Sequence, residues 1–219
     1  MKPMGKPKPG FEKRFREIFD IVSGRKKQKL SFWDRLKGKR RASKDELLKE
    51  WFANQTSTYD TLDAPKVGRD QEAEDWLREQ YERSDKKHAF KEFRQTYLDY
   101  YVLSLSKHQE GIPVYANPGM DENVFRGQFL RDCADLIGDN LVAEAWETKL
   151  ADETLYYGNR LLKKANQIAA KHGLEHLRDQ VEPPEGEDQS VESCLHIVYS
   201  LARWLIFYGK NGHGYEADF

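Results

Sequence analysis

The alternation of apolar and polar positions along the chain is helical almost throughout. Phe11, Phe15, Ile18, Phe19 and Val22 recur at the spacing of one helix face, with Lys13, Arg14, Arg16, Glu17 and Asp20 between them, and Gly24 stops the run. The spacing predicts a basic amphipathic helix. Residues 1–10 are rich in Lys, Pro and Gly, show no such period and are expected to be flexible. Ser31 with Asp34 reads as the start of a short turn that Gly38 ends. Ser43-Lys-Asp-Glu46 is a clearer capping box, and it opens a helix with Leu47, Leu48, Trp51 and Phe52 on one side.

A highly charged helix is expected over residues 70–84, with Ala73, Trp76, Leu77 and Tyr81 as its few apolar positions. Phe90, Phe93, Tyr97, Tyr101 and Leu105, joined by Leu98 and Val102, predict a longer helix from Asp85 or Lys86 to near His108. The turn-like segment 109–120 follows. Asp121 is a candidate N-cap for a helix carrying Val124, Phe125, Phe129, Cys133 and Leu136, with Gly138 past its end. Helical spacing runs again from Leu155 through Leu162, Ala165, Ile168 and Ala169 to His172, where Gly173 stops it. Residues 182–188 read as a solvated acidic loop. In the last helix, 191–208, only His196, Ser200 and Arg203 interrupt the apolar run after Leu195. A helix apolar on all sides and this short belongs at the centre of a core. Ile112-Pro-Val-Tyr115 is the one β-like tetrapeptide, and Pro113 demotes it. The expected fold is therefore all-α: an irregular multi-helix bundle of about seven to nine helices. Residues 1–42 form its basic helical N-terminal arm and residues 43–219 the bundle domain.

Charge changes this picture more than composition does. Of 36 Lys/Arg and 37 Asp/Glu in the chain, residues 2–44 hold 16 and four, and the remainder hold 20 and 33. The formal net charge of −1 thus hides a basic arm of +12 and an acidic body. No run approaches the roughly 18 apolar residues of a membrane span, and no apolar stretch follows the N-terminal lysines as a secretory signal requires. A cytoplasmic protein is expected. Cys133 and Cys194 lie in apolar surroundings and read as buried free thiols.

Several constellations carry a trace of chemistry. His172-Gly-Leu-Glu-His176 fits H-x-x-E-H, in which two His on one helix hold zinc and the Glu activates water. Gly173 instead reads as a helix stop that takes the two imidazoles off a common face. His213 stands with Glu216 and Asp218 between glycines, where mobility is expected. Cys194 and His196 are two apart on one helix and point in different directions, a poor nucleophile pair. Arg126, Arg131, Asp132 and Asp135 read as structural ion pairing, with an internal polar pocket and Arg126 as anion holder as the alternative. No catalytic residue, metal ligand or cofactor is assigned.

The basic segment is the candidate partner-binding region: Phe11, Phe15, Phe19, Lys26, Lys27, Lys29, Phe32, Trp33, Lys39, Arg40 and Arg41. The leading reading is a non-enzymatic interaction or regulatory protein whose arm docks on an acidic protein surface, a partner's or its own. The second is a nucleic-acid-binding accessory protein, with cations neutralising phosphates and aromatic rings stacking on bases. A hydrolase or metal enzyme using His213 or His172/His176 is the third, and an anionic membrane surface is the least favoured partner.

Overall fold

The computed structural model describes residues 1–29, 40–116, 123–187 and 189–217. Among these the fold is all-α, with ten α-helices: α1 (Glu12–Val22), α2 (Lys44–Ala53), α3 (Thr58–Thr61), α4 (Gln71–Arg83), α5 (Phe90–Thr96), α6 (Gln128–Arg131), α7 (Ala134–Ile137), α8 (Asp139–Glu144), α9 (Ala151–His172) and α10 (Val191–Lys210). Four two-residue strands form two antiparallel pairs, β1 (Lys2–Pro3) with β4 (Tyr215–Glu216) and β2 (Lys6–Pro7) with β3 (Gln55–Thr56). The chain divides into two units, Gly5–Ser57 and Met1–Met4 with Thr58–Phe219. Residue 42, the boundary expected from charge, lies inside the first.

In Gly5–Ser57, α1 packs on α2. The Phe15 ring stacks on Trp51 with centroids 3.5 Å apart, and Phe19 lies 6.0 Å from the same indole. Arg14 forks onto Glu50 with two bonds of 2.9 and 2.8 Å, adding geometric specificity to the helix pair. The capping box at the start of α2 forms as its sequence implies. Ser43 Oγ accepts from the Glu46 amide at 3.2 Å, and Glu46 Oε2 accepts from the Ser43 amide at 2.8 Å. Leu47 and Trp51 are buried, whereas Phe52 is 61% exposed. The β2–β3 pair then closes the ends of this unit on each other.

The larger unit is built around the α9–α10 hairpin. The two helices run antiparallel, as Leu155 meeting Gly209, Gly158 meeting Leu205 and the Tyr199 hydroxyl donating to Asn166 Oδ1 at 3.0 Å together show. Ser190 caps α10 by accepting from the Ser193 amide at 3.1 Å. Most of α10 is buried, including Leu195, Val198, Leu201, Ala202, Trp204 and Leu205, so the helix is the central element that its apolar run predicts. Gly173 closes α9 in the left-handed conformation, φ 67°, its amide bonding back to the Ala169 carbonyl.

Two glycines set how closely the hairpin packs. A Cβ on Gly209 would lie 2.7 Å from the Leu155 amide nitrogen, and one on Gly158 would lie 2.9 Å from Leu205 Cβ. These approaches exclude any side chain, so the helices meet almost backbone to backbone at this end.

Three expectations are corrected. Residues 1–10 are structured. Met1 and Met4 are buried, the Phe125 amide donates to the Met1 carbonyl at 3.0 Å, and the Met4 amide donates to the Gly214 carbonyl at 3.0 Å. Strand pairs of two residues show no alternation, which is why the sequence pattern misses them. The long helix expected from residue 85 or 86 to 108 ends after α5. Residues 99–102 turn back along 65–67 through Asp99 N to Val67 O at 3.1 Å, Val67 N to Tyr100 O at 2.9 Å and Val102 N to Pro65 O at 2.8 Å, and Asp99 takes a left-handed φ of 69°. Long-range backbone pairing overrides the local period there. The helix expected after Asp121 is also broken, into α6 and α7. Asp121 itself lies outside the described residues, as do the turn at Ser31–Asp34 and Gly38.

The Gly209–Leu155 approach makes a direct prediction. Gly209→Ala should lower the unfolding free energy by about 1–3 kcal/mol despite the better helix propensity of alanine. Gly186→Ala, where an added Cβ meets nothing within 4 Å, should stay within about 0.5 kcal/mol of the parent. Urea denaturation of the two variants measures both.

Candidate functional site

The basic segment is the one feature with an expected partner, so its side chains are placed first. Phe15 and Phe19 are buried, and their rings are taken by Trp51, while Phe11 is half-buried. The apolar face of α1 is thus used inside its own unit. The cations around it are exposed. Lys26 pairs with Asp20 and Arg40 with Glu46, and the Arg25 guanidinium lies 4.7 Å over the Phe19 ring. Lys27, Lys29 and Arg41 are exposed and make no ion pair among the described residues. Phe32, Trp33 and Lys39 lie outside the described residues. Among the described residues of Gly5–Ser57, exposed cations stand on segments 25–29 and 40–41 and on α1 at Lys13 and Arg16.

His213 is not on a mobile tail. It is fully buried, with Nε2 2.7 Å from Thr61 Oγ1 and Nδ1 2.7 Å from the Met4 carbonyl oxygen. A carbonyl only accepts, so Nδ1 carries a proton and, in the neutral ring, the Thr61 hydroxyl donates to Nε2. The glycines beside it differ in role: a Cβ on Gly214 would sit 2.1 Å from the Lys149 carbonyl oxygen, and Gly212 takes a left-handed φ of 84°. Glu216 is half-buried and Asp218 lies outside the described residues. In the H-x-x-E-H stretch, His172 is the last residue of α9, and Glu175 and His176 belong to a separate 3-10 turn, Glu175–Arg178. The helix breaks at Gly173 as its sequence implies, and His176 faces Glu192 at 3.9 Å. No group of three or more His, Cys, Asp or Glu is arranged to hold a metal ion among the described residues.

Arg126, Arg131, Asp132 and Asp135 are exposed and make no ion pair among the described residues, so neither the expected structural ion pairing nor the alternative internal pocket forms there. Arg131 lies 5.4 Å over the Trp146 ring rather than on Asp135, and Arg126 lies 5.9 Å over Phe129. These short helices do not provide the continuous face on which an i, i+4 pair depends.

A cluster that sequence reasoning did not assemble lies along one side of α10. His196 is fully buried, its Nδ1 2.7 Å from the Tyr115 hydroxyl and its Nε2 3.3 Å from the Gln180 carbonyl oxygen. Because that carbonyl accepts, Nε2 carries the proton and Tyr115 donates to Nδ1. Burial, reinforced by the nearby Arg203 guanidinium, holds the His196 pKa below its ordinary value. Burial likewise pushes Tyr115 up to about 12. Arg203 donates to the carbonyls of Arg178 and Gln180, the latter at 2.8 Å. Cys133 and Cys194 are free and buried, with thiols donating weakly to the Cys194 carbonyl at 3.5 Å and the Asp132 carbonyl at 3.6 Å. Burial raises both thiol pKa values, so neither is an activated nucleophile. His196 serves Tyr115 and the 180 loop rather than Cys194. The visible signal was the set of polar interruptions in the 191–208 apolar run, each of which needs a partner once buried.

No protein-family model, no curated protein and no solved structure matches the chain. No helix among the described residues is long and apolar enough to cross a membrane.

Two outcomes follow from the buried cluster. Both cysteines should react with a thiol-modifying dye at a rate set by unfolding, slow in the native protein and fast in denaturant; rapid native labelling of either contradicts their burial. His196 titrates near its usual 6.5 when unfolded and lower when folded, so the unfolded chain takes up the proton first as pH falls. Its contribution to stability is therefore full above about pH 7 and declines as pH drops through about 6.5. Unfolding free energies between about pH 7 and 5.5 should fall more steeply for the parent than for His196→Gln.

Proposed function

We propose that the chain is a non-enzymatic interaction protein whose basic surface on Gly5–Ser57 docks on an acidic protein partner, in a cytoplasmic setting. The observation that carries this reading is the charge division: 16 of 36 Lys/Arg fall in residues 2–44 with only four of 37 acids. It is supported by the exposure of Lys27, Lys29 and Arg41 without ion pairs among the described residues. Cations left free of carboxylates cost little to bring onto an opposite charge, and they steer encounter and fix register. The stacking of Phe15 and Phe19 on Trp51 limits docking through that apolar face, since exposing it would break the α1–α2 packing. The contact is thus electrostatic first, and it weakens with salt.

The nucleic-acid reading uses the same cations. Phosphate neutralisation gives a steeper salt dependence, because counterions are released for each contact. One experiment separates the two. The protein and its Lys27→Glu/Lys29→Glu/Arg41→Glu variant are compared in affinity capture from cell extract before and after nuclease treatment. The proposal expects a nuclease-resistant protein that the parent retains and the variant loses, with both folded by circular dichroism. Capture abolished by nuclease favours nucleic acid, and equal capture by both forms removes the basic surface from the account.

A further inference from the structure

A cavity of about 430 Å3 opens along the C-terminal half of α10, within the larger unit, and its wall chemistry is uneven. Leu162, Ile206 and Phe207 supply an apolar floor, and Arg178, Arg203 and Lys210 supply three cations. None of the three makes an ion pair among the described residues. Arg203 is only partly exposed. Its guanidinium is fixed by donating to the Arg178 carbonyl and, at 2.8 Å, to the Gln180 carbonyl, which leaves its remaining N–H groups to the cavity. A partly buried guanidinium held by neutral carbonyls is preorganised with no carboxylate in direct contact, and charges taken from water are ordinarily paired. Burial accordingly lowers its proton affinity.

Asp179 in the wall attracts Arg203 at longer range without closing an ion pair, so the guanidinium is only partly offset. Glu110 faces His108 at 3.7 Å, and Asp179 makes no ion pair among the described residues. Lys210 lies two helical turns from Arg203, roughly 10 Å along the axis. The last-turn carbonyls that would otherwise compete for the Lys210 ammonium are already occupied, Phe207 and Tyr208 accepting from Asn211 and His213. The volume suits a small molecule, and an apolar floor with a few convergent charges is how such ligands are oriented.

We propose that this cavity binds a small aromatic or apolar anion, its phosphate or carboxylate on Arg203 and Arg178 and its body along Leu162, Ile206 and Phe207. Lys210 attracts the ligand at the far end. The site is independent of the basic surface on Gly5–Ser57. The full chain is titrated by calorimetry with phenyl phosphate and, separately, with phenylacetate, which distinguishes a phosphate from a carboxylate ligand. Saturable one-to-one binding of either is expected, together with weaker binding of inorganic phosphate, which lacks the apolar body. Arg178→Gln should weaken it about tenfold, the loss of one charge-assisted contact, and Lys210→Gln should weaken it less. Both substituted side chains are exposed, so thermal unfolding should be unchanged and a loss of binding is not a loss of fold. No saturable binding of either aromatic anion overturns the proposal, and so does binding that both variants leave intact. Inorganic phosphate binding as tightly as phenyl phosphate overturns the role of the apolar floor.

Discussion

The near backbone-to-backbone contact between Gly209 of α10 and Leu155 of α9 is the constraint on which the rest of the larger unit depends. Helices brought this close leave no room for water or for a side chain between them, and α10 is buried along most of its length, with an open side at Arg203, Ile206 and Lys210. The remaining elements can be understood as its cover. Met1–Met4, Phe125, the 175–178 turn and the Gly214 approach to Lys149 each fill part of the surface around the hairpin. The buried His213 belongs to the same cover: it ties the Thr61 hydroxyl and the Met4 carbonyl together beside Tyr208.

Polar residues inside such a helix must be satisfied without ionising freely. His196 is held neutral between Tyr115 and Gln180, and Arg203, which cannot lose its proton, is held by two backbone carbonyls at the edge of a cavity. The same helix therefore has a sealed side, where side chains of ordinary reactivity are made inert, and an open side that presents a cation with no carboxylate in direct contact. Among the described residues of Gly5–Ser57, Phe15, Phe19 and Trp51 are taken up in α1–α2 packing while Lys27, Lys29 and Arg41 remain at the surface, which moves the interaction reading from an apolar face to a charged one.

The sequence made some of this legible and hid the rest for identifiable reasons. α1, α2, α9 and α10 follow from local signals: the Phe11–Val22 period, the Ser43 capping box, the Gly173 stop and the apolar run after Leu195. These signals act within a turn or two, and tertiary contacts agree with them. Residues 97–105 carry an equally good helical period, yet they leave the helix because backbone partners at 65–67 are available. The N-terminal residues and the Gly-His-Gly segment have the composition of mobile ends. Met1, Met4 and His213 are ordered by partners more than a hundred residues away and Lys6–Lys8 by 54–56, which no local pattern encodes. Arg203 was visible as an interruption in an apolar run, but its carbonyl partners and the cavity beside it depend on how the 175–180 segment returns to α10.

Native-state hydrogen exchange of the intact chain tests the organising role of the hairpin most directly. The account predicts that the slowest amides lie in α10 and the facing half of α9, exchanging only through global opening, while segments 25–29 and 40–41 exchange fastest. Faster exchange in α10 than in α4 or α5 would contradict it.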